Sequence, residues 1–135
     1  MSRDASPGSF DSRAPRSAPA SISGTTAAGE PVTVVFVRPT LVVAVKADCD
    51  GCRDFLAGAG ADVEGVDQVV VASDASAIGD STLLAIVSPE AMRLLGLSWP
   101  PTYVLVDPRG PTVVAEGAVF SAAQVASEVA PFRGV

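Results

Sequence analysis

The stretch Lys46-Ala47-Asp48-Cys49-Asp50-Gly51-Cys52 decides how the rest of the chain is read. It holds both cysteines of the sequence, spaced Cys-x-x-Cys. An apolar run, Leu41-Val42-Val43-Ala44-Val45, leads directly into it. A buried strand that delivers Cys-x-x-Cys to the mouth of a helix is the layout of a thiol–disulfide site. On the first turn of a helix, residues three apart share a face, with Cβ atoms roughly 5–6 Å apart. Such a pair is bridged with little backbone movement. Cys49 is expected at the helix start, where free N–H groups and the helix dipole favour a thiolate. Cys52 is expected one turn in, more buried, as the resolving thiol.

Two plainer readings compete with this one. A zinc site wants four ligands. The chain has no histidine and no further cysteine, so metal binding would need two chains to pool their pairs. A structural disulfide usually closes a longer loop, because its stabilisation grows with loop length. A four-residue loop gains little, which favours chemistry over stapling.

The length of 135 residues allows one domain, and an apolar content of 48% allows a core built from Val, Ala and Leu. The net charge is −6, with no basic patch and no aromatic–basic interleaving, so no nucleic-acid partner is expected. The longest apolar stretch, Val32 to Ala47, is cut by Arg38-Pro39, and neither half spans a bilayer. Residues 1–30 are rich in Ser, Ala, Pro and Gly. Their charges cancel: Arg3, Arg13 and Arg16 against Asp4, Asp11 and Glu30. Such a segment buries too little surface to offset its ordering entropy. It reads as a disordered tail before a domain over 31–135. It lacks the apolar core of a secretory signal, so the expected location is cytoplasmic.

Val32-Thr33-Val34-Val35-Phe36-Val37 reads as a strand from its β-branched content. Leu41 to Lys46 reads as a second, central strand covered on both faces. Three residues join them, too few for a parallel crossover, so an antiparallel hairpin is expected. A short helix follows Cys52, with Phe55, Leu56 and Ala59 available for the core and Gly58 and Gly60 at its end. Asp67 to Ala72 is a strand, Ser73 to Asp80 a loop or irregular turn, and Thr82 to Val87 a short strand or loop. Ser88-Pro89-Glu90 starts a helix that stops at Gly96. Tyr103 to Val106 and Thr112 to Glu116 form a hairpin across the turn Asp107-Pro108-Arg109-Gly110. Ser121 to Gln124 is a capping box opening a helix to about Ala130, with Ala122, Val125 and Val129 inward. The order from Leu41 on is strand, helix, strand, helix, strand, strand, helix.

At this point the chain resembles the thioredoxin superfamily. The resemblance rests on strand–Cys49-Asp50-Gly51-Cys52–helix, on Pro101-Thr102 just before the strand Tyr103–Val106, and on the closing hairpin and capped helix. The extra N-terminal strand, and Asp107-Pro108-Arg109-Gly110 followed by Gly117-Ala118-Val119-Phe120, look more like the bacterial branch used in cytochrome or methylamine-dehydrogenase maturation. The likeness covers roughly residues 32–132. It implies a thioredoxin-like three-layer α/β/α sandwich with a mixed central sheet and an extra N-terminal hairpin strand. It implies a cis bond before Pro101, with Pro101 beside the cysteines, and a substrate surface at Trp99, Pro100, Pro101 and Thr102. Trp99 reads equally well as a cover over the site and as ordinary packing.

Several positions depart from the family pattern. Asp50-Gly51 stands where thioredoxins have Gly-Pro. Asp48 and Asp50 flank Cys49 and are expected to disfavour its thiolate, which points to a reductant-like or slow site. Lys46 could offset them, or could simply be a solvated strand end. The place of the family's buried carboxylate falls at Val43. Pro100 has no N–H to lend to an extended substrate.

The leading functional expectation is a thiol–disulfide oxidoreductase, with Cys49 as nucleophile and Cys52 as resolving thiol. It needs no bound cofactor or metal. Its partners are a protein thiol or disulfide and an external reductant. The alternative is a non-catalytic thioredoxin-fold module that binds a protein partner and keeps vestigial cysteines. Peroxide reduction lacks support, because the residues before Cys49 do not match the Thr-containing peroxidase motif.

Overall fold

A computed structural model describes residues 15–58, 60–79 and 83–132. Eight strands form one mixed sheet: β1 Arg16–Ser17, β2 Ser21–Thr25, β3 Pro31–Val35, β4 Thr40–Val45, β5 Asp67–Ala72, β6 Ala85–Val87, β7 Thr102–Asp107 and β8 Thr112–Ala118. The helices are α1 Asp50–Ala57, α2 Pro89–Leu95 and α3 Ala122–Val129. The order across the sheet is β1-β8-β7-β4-β5-β6-β2-β3. The β4–β5 and β5–β6 pairs are parallel, and β4–β7 and β7–β8 are antiparallel.

β4 sits at the middle because both of its faces are apolar. Leu41, Val43 and Val45 pack with α1 and α3 residues on one face. Val42 and Ala44 pack with α2 residues on the other. All six residues of β4 are buried. This period-two split makes the three layers, helices on both sides of the sheet. The α/β sandwich matches the expectation from sequence, and the element order from Leu41 onward differs from it by one strand: Ala85–Val87, left open as strand or loop, is β6 and stands between β5 and α2. Ser88 caps α2 with Pro89 inside its first turn, Gly96 ends it in the left-handed region (φ 70°), and Ser121 and Gln124 form the capping box of α3. The connection after β5 carries a 3₁₀ turn at Ala75–Ala77. Ala59 and residues 80–82 lie outside the described residues.

Two expectations do not hold. The first is the pairing of the early strands. β3 does not form a hairpin with β4; its partner is β2, from Ser21↔Val35 to Thr25↔Pro31. A short link excludes a parallel crossover, but it does not reserve an edge. Both edges of β4 are taken by β5 and β7, whose strands are longer and more apolar. The chain turns out of β3 through Phe36, 5% exposed in the core, and Arg38, whose guanidinium meets Asp67 at 3.0 Å.

The second is the tail boundary at residue 30. Residues 1–14 lie outside the described residues, but β1 and β2 belong to the sheet. Ile22 is 2% exposed, and Arg16 pairs with Glu116 of β8 at 2.7 Å. Averaged composition hid these anchors: one buried isoleucine and one cross-strand ion pair suffice to order a Ser-rich segment that has a sheet edge to join. β2 reaches β6 through a single pair, Thr25↔Val87. A Cβ on Gly24 would run into the Val87 carbonyl oxygen, so glycine is what permits that close approach.

Candidate active site

β4 carries the chain straight to Cys49. Lys46, Ala47 and Asp48 leave the sheet as an exposed turn, and Asp48 adopts φ 56° to make it. Asp is among the few non-glycine residues that enter this region readily. Cys49 is the N-cap of α1, with extended backbone, and its Sγ accepts from the Cys52 N–H at 3.1 Å. A sulfur thus takes the place of the usual capping oxygen and meets one of the free N–H groups of the first turn. Cys49 and Cys52 are disulfide-bonded, with Cα atoms 5.2 Å apart. Cys49 is half-buried and Cys52 is 1% exposed. One sulfur therefore faces a partner while the other is shielded one turn below.

Pro101 lies against this pair. A Cβ on Gly51 would stand 3.8 Å from Pro101 Cγ, which places the proline ring over the first turn of α1. The Pro100–Pro101 peptide bond is cis. A second cis bond, Gly110–Pro111, sits in the β7–β8 turn and had no counterpart in the sequence reading. The Pro101 carbonyl accepts from Val119 N–H at 3.0 Å. That bond brings the segment after β8 alongside, and with it Phe120. Trp99 and Phe120 are each 84% exposed. Trp99 therefore is not ordinary packing. Both rings stand open to solvent.

Among the modulating candidates, Lys46 and Asp48 line a cleft of about 660 Å³ on the far flank of α1, with Arg53 and Leu56. Asp50 is exposed and paired with Arg53 on the same helix. Arg53 was missed from sequence, although its i,i+3 spacing from Asp50 was there to be read. It answers one of the two negative charges beside Cys49. Val43 is buried beneath the pair, in the same cluster as Cys52. Thr102 opens β7 and shares a second cavity with Trp99 and Glu116. Among the described residues, no group of three or more His, Cys, Asp or Glu is placed to hold a metal ion. No helix among them is long and apolar enough to cross a membrane.

No protein-family model matches the sequence, and no curated protein does. Solved structures do. A thiol:disulfide interchange protein from Bacteroides sp. superposes with a TM-score of 0.61 at 21% identity, covering 90% of this chain and 90% of that one. The MTB protein dsbF, seen in mixed oxidized and reduced forms, gives 0.60 at 19% identity, covering 84% and 97%. A thiol:disulfide interchange protein of the thioredoxin family from Chlorobium tepidum gives 0.59 at 22% identity, covering 84% and 94%.

Proposed function

We propose that this chain, which has the thioredoxin-like fold, is a thiol–disulfide oxidoreductase working through Cys49 and Cys52. The observation that carries the reading is the asymmetry of the pair: one sulfur half-exposed at a helix N-cap beside Pro101, its partner sealed one turn below. The names of the structural neighbours, two of them thiol:disulfide interchange proteins, support the same chemistry.

The reaction follows from that geometry. In the reduced form, the Cys49 thiolate attacks one sulfur of a partner disulfide, and the other partner sulfur leaves as a thiolate. Cys52 then loses its proton and attacks Cys49 Sγ in the mixed disulfide. The second partner sulfur leaves, and the partner is reduced by two electrons while Cys49–Cys52 is oxidised. An external dithiol reductant returns the pair to its starting state. The helix N-terminus favours the thiolate at Cys49, both as attacking and as leaving group. Trp99, Pro100, Pro101 and Thr102 form the surface against which the partner segment lies. Pro100 offers no N–H there, so the partner gains its hold from apolar contact and from the carbonyl groups. With Val43 in place of a buried acid, the proton of Cys52 must leave by solvent.

The test is disulfide reduction of insulin by dithiothreitol in the presence of the protein. Wild type should accelerate the reaction, and Cys49→Ser should fall to the uncatalysed rate. Equal rates for the two would overturn the proposal. The apolar Val43 and the missing Pro100 donor favour a second reading, a binding module with vestigial cysteines. A Cys52→Ser variant separates the two. Partners captured through a Cys49 disulfide mean exchange, whereas capture that survives loss of both cysteines means scaffolding.

A further inference from the structure

β3 ends the sheet on one side, and among the described residues no strand pairs its outer edge. Natural sheets guard such edges with lysines, prolines or bulges, because an open edge accepts another strand. β3 is guarded at its start only, by Pro31. The run Val32-Thr33-Val34-Val35-Phe36-Val37 carries no charge. Val35 is 59% exposed and Val37 74%.

The hydrogen bonds to β2 fix which groups that edge presents. Phe36 N–H donates to the Ala20 carbonyl at 3.1 Å, and Thr26 N–H donates to the Glu30 carbonyl at 2.8 Å. These bonds close the two ends of the β2–β3 ladder, which runs from Ser21↔Val35 to Thr25↔Pro31. Hydrogen-bonded and non-hydrogen-bonded positions alternate along an antiparallel pair. Val32 and Val34 therefore turn their backbone groups to β2. Thr33 and Val35 turn theirs outward, and Pro31 presents a carbonyl without an N–H.

The ends of the run select the partner. Glu30 precedes it and Arg38 follows it. A strand that meets this edge antiparallel needs an uncharged run of the same length with the charges at its ends in reverse order. A second copy of β3 supplies that order. We propose that the protein forms a twofold dimer through the outer edge of β3, with Val34 on the axis. The same patch serves both copies, as a closed twofold contact requires. In this register Thr33 of each copy lies opposite Val35 of the other, and the outward N–H and C=O groups of both residues are paired. Glu30 of each copy stands opposite Arg38 of the other. Arg38 uses its Nε on Asp67, and its two Nη groups remain as donors. Sliding the register by two residues puts Glu30 opposite Phe36 or Thr40 instead, and the opposite charges no longer meet. One strand pair is small beside the roughly 1,200–2,000 Å² of a stable interface, so the dimer is weak and its population follows concentration.

Sedimentation velocity of the full chain over a wide range of concentration tests this. The wild type should pass from monomer to dimer as concentration rises. Val35→Lys sets like charges diagonally across the axis and should raise the dissociation constant roughly tenfold or more. Thr33→Pro deletes an outward N–H while sparing the bonds to β2, and should weaken the dimer as well. Thermal unfolding of dilute, monomeric samples separates lost pairing from lost fold, and Val35→Lys should keep the wild-type midpoint there. The register has its own check in a Cys49→Ser/Cys52→Ser background. Oxidation should cross-link Val34→Cys, because position 34 alone faces itself, at the Cα separation of about 4.5 Å that a disulfide accepts. Thr33→Cys and Val35→Cys should stay uncross-linked. A monomer at every concentration, association indifferent to both Val35→Lys and Thr33→Pro, or cross-linking at 33 or 35 in place of 34 would overturn the proposal.

Discussion

Asp107 closes the β7–β8 hairpin with its own side chain. Its Oδ1 accepts from the Arg109 N–H at 2.9 Å, and its Oδ2 from Arg109 Nη2 at 2.7 Å. These bonds to the ionised form, the Arg109 side chain first, hold the Asp107 carboxyl below the usual carboxylate range. Because the folded value is the lower one, the unfolded chain takes up the proton first as pH falls. The stabilisation is therefore complete above the unfolded value of about 3.9 and is lost as pH drops through the folded value. Asp107→Asn should cost about 1 kcal/mol at neutral pH and should flatten the acid limb of the stability curve. Urea unfolding at pH 7 and pH 3 checks both, and an unchanged acid limb would show that Asp107 is not its source. The turn Asp107-Pro108-Arg109-Gly110 was legible from residue preferences alone. The Arg109 clasp was not, because nothing local says which way a long side chain folds back.

At the scale of elements, two serine caps make a controlled comparison. Ser121 accepts from Gln124 N–H at 3.0 Å on an exposed helix start. Ser88 accepts from Ala91 N–H at 3.0 Å and also donates to the Ser23 carbonyl at 2.6 Å, with the residue 3% exposed. Ser121→Ala should lose about 1 kcal/mol, the ordinary worth of a cap. Ser88→Ala should lose about 2–3 kcal/mol, because it removes the same cap and leaves a buried group unpaired. Denaturant midpoints at constant slope measure both. Equal losses would mean that the Ser88–Ser23 bond contributes nothing. Both caps were readable from a few consecutive residues. The bond from Ser88 to β2 spans sixty-five positions, and no window of sequence contains it.

At the scale of the whole molecule, the N-terminal half of the sheet depends on the segment that sequence composition assigned to a tail. Among the described residues β2 is the only neighbour of β3 in the sheet, and Ile22 enters the core from β2. A chain beginning at Pro31 should lose roughly 3 kcal/mol or more, the burial of one isoleucine plus the pairing of an edge strand. Thermal unfolding of the truncated and full chains decides this. Equal midpoints would restore the tail reading for residues 15–30.

Sequence by itself determined the parts of this protein that are short-range: the Cys49–Cys52 spacing, the buried run before it, the caps of two helices, and the closing hairpin. Backbone propensity, capping and side-chain period act over a few residues, so a local pattern records them. Tertiary structure alone decided which strand takes each edge of β4 and that Ser21–Thr25 joins the sheet. Those outcomes are competitions between distant segments for the same edge, and the winner depends on burial summed over the fold.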